Sequence, residues 1–134
     1  MTRSHSHFHT VLVVDDNADL RDAITILLAL NGMRAHEARD GREALQVLQE
    51  GLRPCLIVLD LHMPRMDGVA FRQAQQDNRA LRDIPVMVLS ALPRFESIAE
   101  PLGVVASLAK PVDPERLIAL VGKCCPSSRQ RARA

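Results

Sequence analysis

Residues 55–68 read CLIVLDLHMPRMDG. An apolar run introduced by Pro54 stops at one carboxylate, Asp60, and enters a loop that carries Pro64 and ends at Asp67-Gly68. A short run without polar alternation is the signature of a strand whose sheet is covered on both faces. Outward from it the same unit recurs. Residues 10–14 (TVLVV), 86–89 (VMVL) and 104–108 (VVASL) are further apolar runs, and 33–38 is a weaker one. Between them the spacing turns helical. Leu20, Ile24, Leu27 and Leu28 mark a helix over 18–31, stopped by Gly32, and Ala44, Leu45 and Leu48 mark one over 41–50, closed by Gly51. A third helix is expected over 68–76, and a short one over 96–100 broken by Pro101. A last helix starts with Asp113 as cap and Pro114 as first residue, and buries Leu117, Leu120, Val121 and Cys124. Parallel strands need crossover connections, so this alternation predicts an α/β doubly wound parallel sheet with helices on both faces.

A length of 134 residues suits one domain, expected over 10–124, with 1–9 and 125–134 as flexible termini. Aromatic residues make up only 2% of the chain, without Trp or Tyr, so the core must be aliphatic. The formal net charge of +1 gives no global electrostatic case for nucleic acid. Lys123, Arg129, Arg131 and Arg133 read as a solvated basic tail, and His5, His7 and His9 as part of a disordered polar N-terminus rather than a metal cluster. No signal-peptide core and no membrane-length apolar run is present, so the expected location is cytoplasmic. Cys55, Cys124 and Cys125 have no zinc-type spacing and are expected as reduced thiols, Cys55 as a small buried strand residue.

Ligand chemistry in doubly wound sheets gathers at the carboxyl ends of the strands. There the chain places Asp15 and Asp16 after the first strand, Asp60 after the third, Ser90 after the fourth and Lys110 after the fifth, followed by Pro111. Three neighbouring carboxylates stay ionised together only with a cation among them, and hard oxygen donors favour Mg²⁺ or Mn²⁺. A carboxylate can attack phosphorus to form an acyl phosphate, while an ammonium and a hydroxyl stabilise the transferring oxygens. Taken singly, an Asp pair after a strand is a turn or cap element, a Lys-Pro a loop, and a Ser a cap. Their joint placement at successive strand ends is what points to phosphoryl chemistry.

These residues lie in four segments that resemble the receiver domain of two-component response regulators, of the stand-alone, CheY-like type. The segments are VLVVDDNADLR (11–21), LIVLDLHMPRMDG (56–68), IPVMVLSA (84–91) and SLAKPV (107–112), in the family's order and at near-family spacing. The resemblance spans residues 10–124. It implies a flavodoxin-like fold with strand order 2-1-3-4-5. It also implies that Asp60 is the phosphoryl acceptor, and that Asp16, Asp60 and the backbone carbonyl of His62 bind Mg²⁺, with Asp15 acting through a metal-bound water. Lys110 would pair first with the acceptor and then with the phosphoryl group, Ser90 would be the switch hydroxyl, and the Lys110-Pro111 bond is often cis in the family. The implied partners are a sensor histidine kinase or a histidine phosphotransfer protein, and a downstream protein reached without a DNA-binding domain.

The chain departs from the family where signals leave the site. Ser107 stands where an aromatic residue usually sits, three positions before the lysine, and Pro93 and Pro101 bracket a shortened fourth helix. His62 and Leu92 occupy positions that tune acyl-phosphate lifetime in the family; the His62 side chain itself should alternate away from that of Asp60. Two other functions compete. One is a receiver-like binding module that works without phosphate. The other is an Asp-nucleophile phosphatase, which normally needs a second Asp two residues after the nucleophile, where this chain has His62.

Overall fold

The computed structural model describes residues 10–125. The run around residue 55 becomes strand β3, Leu56–Asp60, at the centre of a five-stranded parallel sheet. The other strands are β1 (Thr10–Val14), β2 (Arg34–Ala38), β4 (Val86–Ser90) and β5 (Ala106–Ala109), in the order β2-β1-β3-β4-β5. This is the doubly wound order implied by the family resemblance. β1, β3 and β4 are buried along their whole length, which is why they lack alternation. β2 is an edge strand, and its exposed Arg34 and His36 explain its weak signal.

The helices are α1 (Ala18–Leu30), α2 (Gly41–Gln49), α3 (Gly68–Gln76), α4 (Glu96–Ala99) and α5 (Pro114–Cys124). Asn17, Asp40, Asp67 and Asp113 cap α1, α2, α3 and α5 by accepting a backbone N–H from the first turn. Alternate strand residues divide the core between the faces. Leu12, Ile57, Leu59 and Val88 pack with Ala44, Leu48, Phe71 and Phe95 from α2, α3 and the start of α4. Val11, Val13, Val58 and Met87 pack with Ile24, Leu28, Leu117 and Val121 from α1 and α5.

The fourth helix is short, as the bracketing prolines predict, and continues as a 3-10 turn at Glu100–Leu102. It is tied to α3 by Arg72, a nearly buried side chain whose Nε and Nη2 donate to the carbonyls of Leu102 (2.9 Å) and Gly103 (3.1 Å). Arg72 Nη1 donates to Gln75 Oε1 at 2.8 Å, and Gln75 Nε2 donates to the carbonyls of Leu81 and Ile84, both at 2.9 Å. The last strand lies one to two residues later than the hydropathy suggests, because the ladder to β4 starts at Met87–Ala106.

The cysteines require a correction. Cys55 lies just before β3, half-buried rather than within the strand, and is paired as a disulfide with Cys125, their Cα atoms 5.5 Å apart. Cys125, assigned to the tail from sequence, is buried at the end of α5. Only Cys124 is a free thiol, and burial pushes its pKa up. Nothing in the spacing of two cysteines 70 positions apart announces their approach. A reductant is therefore expected to remove about 2–4 kcal/mol of stability, through the freed loop entropy, and so to lower the denaturation midpoint. Urea titrations with and without dithiothreitol will show this, and Cys55→Ser should unfold at the same midpoint in both. The expectations for residues 1–9 and 126–134 lie outside the described residues.

Candidate functional site

The crevice between β1 and β3 is where this sheet reverses its strand order, and it is there that the acidic residues meet. Asp15 and Asp16 leave the end of β1, and Asp60 is the last residue of β3. One carboxylate oxygen from each of the three lies within 4.8 Å of the other two. Asp15 and Asp60 are buried, while Asp16 is exposed. Lys110, just past β5, reaches over with Nζ 2.9 Å from Asp15 Oδ2 and 3.4 Å from Asp60 Oδ2. The Lys110-Pro111 peptide is cis.

Backbone groups hold the carboxylates in place. Asp15 Oδ1 accepts from the N–H of Asn17 at 2.9 Å, and Asp60 Oδ1 accepts from the N–H of His62 at 3.1 Å. The close return of α3 keeps Asp60 in position. A Cβ on Gly68 would lie 2.7 Å from the Asp60 carbonyl oxygen and 2.8 Å from Leu61 Cα, both backbone atoms, so only glycine fits there. The loop between them holds Arg65 at φ 67, a left-handed conformation uncommon for a residue with a side chain. Its guanidinium is secured at 2.8 Å by Asp40, the cap of α2. Asp40 is nearly buried; burial works to raise its pKa, but the Glu43 N–H and Arg65 outweigh it and hold the pKa below the usual range.

The electrostatics of the rim follow from burial and crowding. Burial is the largest influence on Asp60 and raises its pKa from 3.8 to about 6. Asp15 pushes in the same direction; the His62 N–H and Lys110 oppose it. For Lys110, burial favours the neutral amine, but the two carboxylates prevail and its pKa rises. The rim therefore holds a committed cation beside a carboxylate that is costly to ionise.

The donor set fits a hard divalent cation. All the clustered donors are carboxylate oxygens, and buried Asp15 Oδ2 has the ammonium of Lys110, at 2.9 Å, as its ion-pair partner and accepts no further hydrogen bond. Such an acceptor has unused capacity for a cation.

Ser90 ends β4, fully buried, and its Oγ accepts from the N–H of Leu92 at 3.1 Å, while Leu92 itself is exposed. Ser107 lies within β5 opposite Val88 and is half-buried, so no aromatic ring occupies that position. The His62 side chain is exposed; its N–H is what engages Asp60.

A family model described as the response regulator receiver domain matches residues 11–122. The chain belongs to the response regulator receiver family. Among curated proteins, this receiver domain is 37% identical over 117 residues to an uncharacterized 14.6 kDa protein of Leptolyngbya boryana, covering 86% of this chain and 88% of that one. It is 34% identical over 113 residues to the DNA-binding dual master transcriptional regulator RpaA of Synechocystis sp., covering 83% of this chain and 46% of that protein. The chain spans about half the length of several of the curated relatives it matches. Among solved structures, a response regulator receiver protein from Pseudomonas putida superposes with a TM-score of 0.79 at 34% identity, covering 85% of this chain and 95% of that one. Among the described residues, no helix of this receiver domain is long and apolar enough to cross a membrane.

Two supports of the site were not read from the sequence. Asp40 is nearly buried yet lies in a stretch legible only as a helix start, and its partner Arg65 is 25 residues away. Arg21 touches the backbone of Asp15. It closes the first motif, which was the only local hint of its importance.

Proposed function

We propose that Asp60 is the phospho-acceptor of a two-component or phosphorelay system, taking its phosphoryl group from a phosphohistidine of a sensor histidine kinase or a histidine phosphotransfer protein. The observation that carries this reading is the ammonium of Lys110 within ion-pair reach of both Asp15 and Asp60, beside the exposed Asp16. Asp15, Asp16, Asp60 and the backbone carbonyl of His62 would hold Mg²⁺ or Mn²⁺. The bound ion supplies charge neutralisation to the phosphoryl oxygens.

An Asp60 carboxylate oxygen attacks phosphorus as the P–N bond to the donor imidazole breaks, and the imidazole leaves with its electron pair and takes a proton. Lys110 gives up part of its hold on Asp60 and pairs with a phosphoryl oxygen. Ser90 exchanges the Leu92 N–H for the phosphoryl group and so shifts the loop after β4. His62 and Leu92 tune the lifetime of the adduct. The unit is residues 10–124, closed by the Cys55–Cys125 pair. It signals through contact with a downstream protein and is no conventional turnover enzyme, catalysing only its own phosphorylation and slow dephosphorylation. The proposed setting is the cytoplasm; the Cys55–Cys125 pair is the one observation that favours an oxidising compartment.

The test is intact-mass spectrometry after incubation with Mg²⁺ and a small acyl-phosphate donor. A single phosphoryl group is expected, on the peptide containing Asp60, and chelation should prevent it. No adduct would overturn the reading in favour of a binding module that works without phosphate, for which Ser107 in the aromatic position is the supporting observation. Rapid multi-turnover phosphate release from varied monoesters would point to a phosphatase instead.

A further inference from the structure

Arg21 is on α1, away from the strand ends, yet it reaches the main chain of the site. Its Nη1 donates to the carbonyl of Asp15 at 2.6 Å, and its Nε donates to Glu37 Oε1 on β2 at 3.1 Å. The other carboxylate oxygen of Glu37 accepts from Thr25 Oγ1, one turn along α1, at 3.2 Å. The Arg21 side chain is only 16% exposed and Glu37 33%, so the bond to Asp15 is better shielded from water than the bonds to Glu37. The N–H of Asp15 donates to the carbonyl of Ala38 at 3.1 Å. Both main-chain polar groups of Asp15 are thus fixed, one by β2 and one by Arg21. The Asp15 carbonyl belongs to the peptide plane from which Asp16 departs. Asp16 is exposed, so its place depends on the backbone that carries it.

We propose that Arg21, held in turn by Glu37, is a positioning residue for the divalent-cation site: it fixes the Asp15–Asp16 peptide and thereby sets how tightly the acidic cluster holds the ion. This rests on the metal-binding reading of Asp15, Asp16 and Asp60. Simple electrostatics makes the opposite forecast. Removing a positive charge near a cation site should tighten binding, and exchanging Arg for Lys should leave it unchanged. Positioning requires the planar, two-pronged guanidinium, which Lys does not supply.

The experiment is Mn²⁺ titration followed by electron paramagnetic resonance, on the full chain and on Arg21→Ala, Arg21→Lys and Glu37→Gln. Each variant is expected to bind Mn²⁺ about tenfold more weakly, as is usual when the support of a ligand is lost. Arg72→Leu, on α3, is the control for lost stability and should bind like the parent. If Arg21→Ala binds as tightly as the parent or more tightly, or Arg21→Lys is unchanged, the proposal is overturned. Equal weakening in Arg72→Leu would show a stability effect and also overturn it. A parent chain that fails to bind Mn²⁺ overturns the metal reading and the proposal together; a parent that binds, with unchanged variants, overturns the proposal alone.

Discussion

Asp60→Asn, in chelator at neutral pH, will melt higher than the parent chain and yet take up no phosphoryl group. Asparagine keeps the shape of the side chain and can accept the His62 N–H, but it offers no anionic oxygen to phosphorus. The gain in stability follows from linkage. The Asp60 carboxyl has a folded pKa of about 6 against 3.8 unfolded, so the folded state binds the proton more tightly. The stabilisation due to that proton is complete below 3.8 and is lost as pH rises through 6. Above that window the ionised carboxylate costs the metal-free fold up to about 3 kcal/mol, less whatever solvent at the rim screens. The neutral amide avoids this cost, which amounts to a rise of up to about 10 °C in midpoint. Circular dichroism melts of both proteins across pH will show the gap widening between pH 3.8 and 6. Saturating Mg²⁺ should close or reverse it, because the ion compensates the parent's carboxylates alone. A parent chain as stable as the variant in chelator at neutral pH would show that Lys110 already neutralises the site.

Arg72→Leu is expected to destabilise the fold by about 3 kcal/mol and lower its midpoint by about 10 °C. The guanidinium is nearly buried and all three of its acceptors are neutral: the carbonyls of Leu102 and Gly103 and the amide oxygen of Gln75. Burial lowers its pKa, so the charge itself is held at a cost. What leucine removes is the donors, leaving buried acceptors without partners. Gly103 is exposed, and water can replace the donor there, which keeps the loss below that of a fully enclosed network. Arg72→Leu combined with Gln75→Leu should cost less than the sum of the two single changes, because the Arg72–Gln75 contact is lost in each of them. Hydrogen exchange will show the damage concentrated at residues 95–105, the segment that Arg72 ties to α3. If exchange there matches the parent, Arg72 does not hold this segment.

Much of this protein was legible before any coordinate. The five strand runs and the cap at Asp113 are local features, each governed by burial period or by the chemistry of a helix start; the caps at Asn17, Asp40 and Asp67 emerged only with the structure. The convergence of Asp15, Asp16, Asp60 and Lys110 followed from the same local reading, because a parallel doubly wound sheet brings its strand ends to one rim. The shortened α4 followed from its prolines. Less was legible at the edges. β5 begins later than its hydropathy suggests, because valines 104 and 105 look like strand while the ladder to β4 starts at Ala106.

By itself, then, the sequence determined the order of elements, the two covered faces of the sheet and the residues that end each strand, since these depend on periods of a few residues. The tertiary structure decided what depends on pairs far apart in the chain: Arg72 reaching Leu102, Asp40 holding Arg65, Arg21 bracing the Asp15 carbonyl against Glu37, and Cys55 meeting Cys125. A polar side chain carries no local mark of its distant partner. Whether it is solvated or buried in a network is settled only when packing brings that partner near and excludes water.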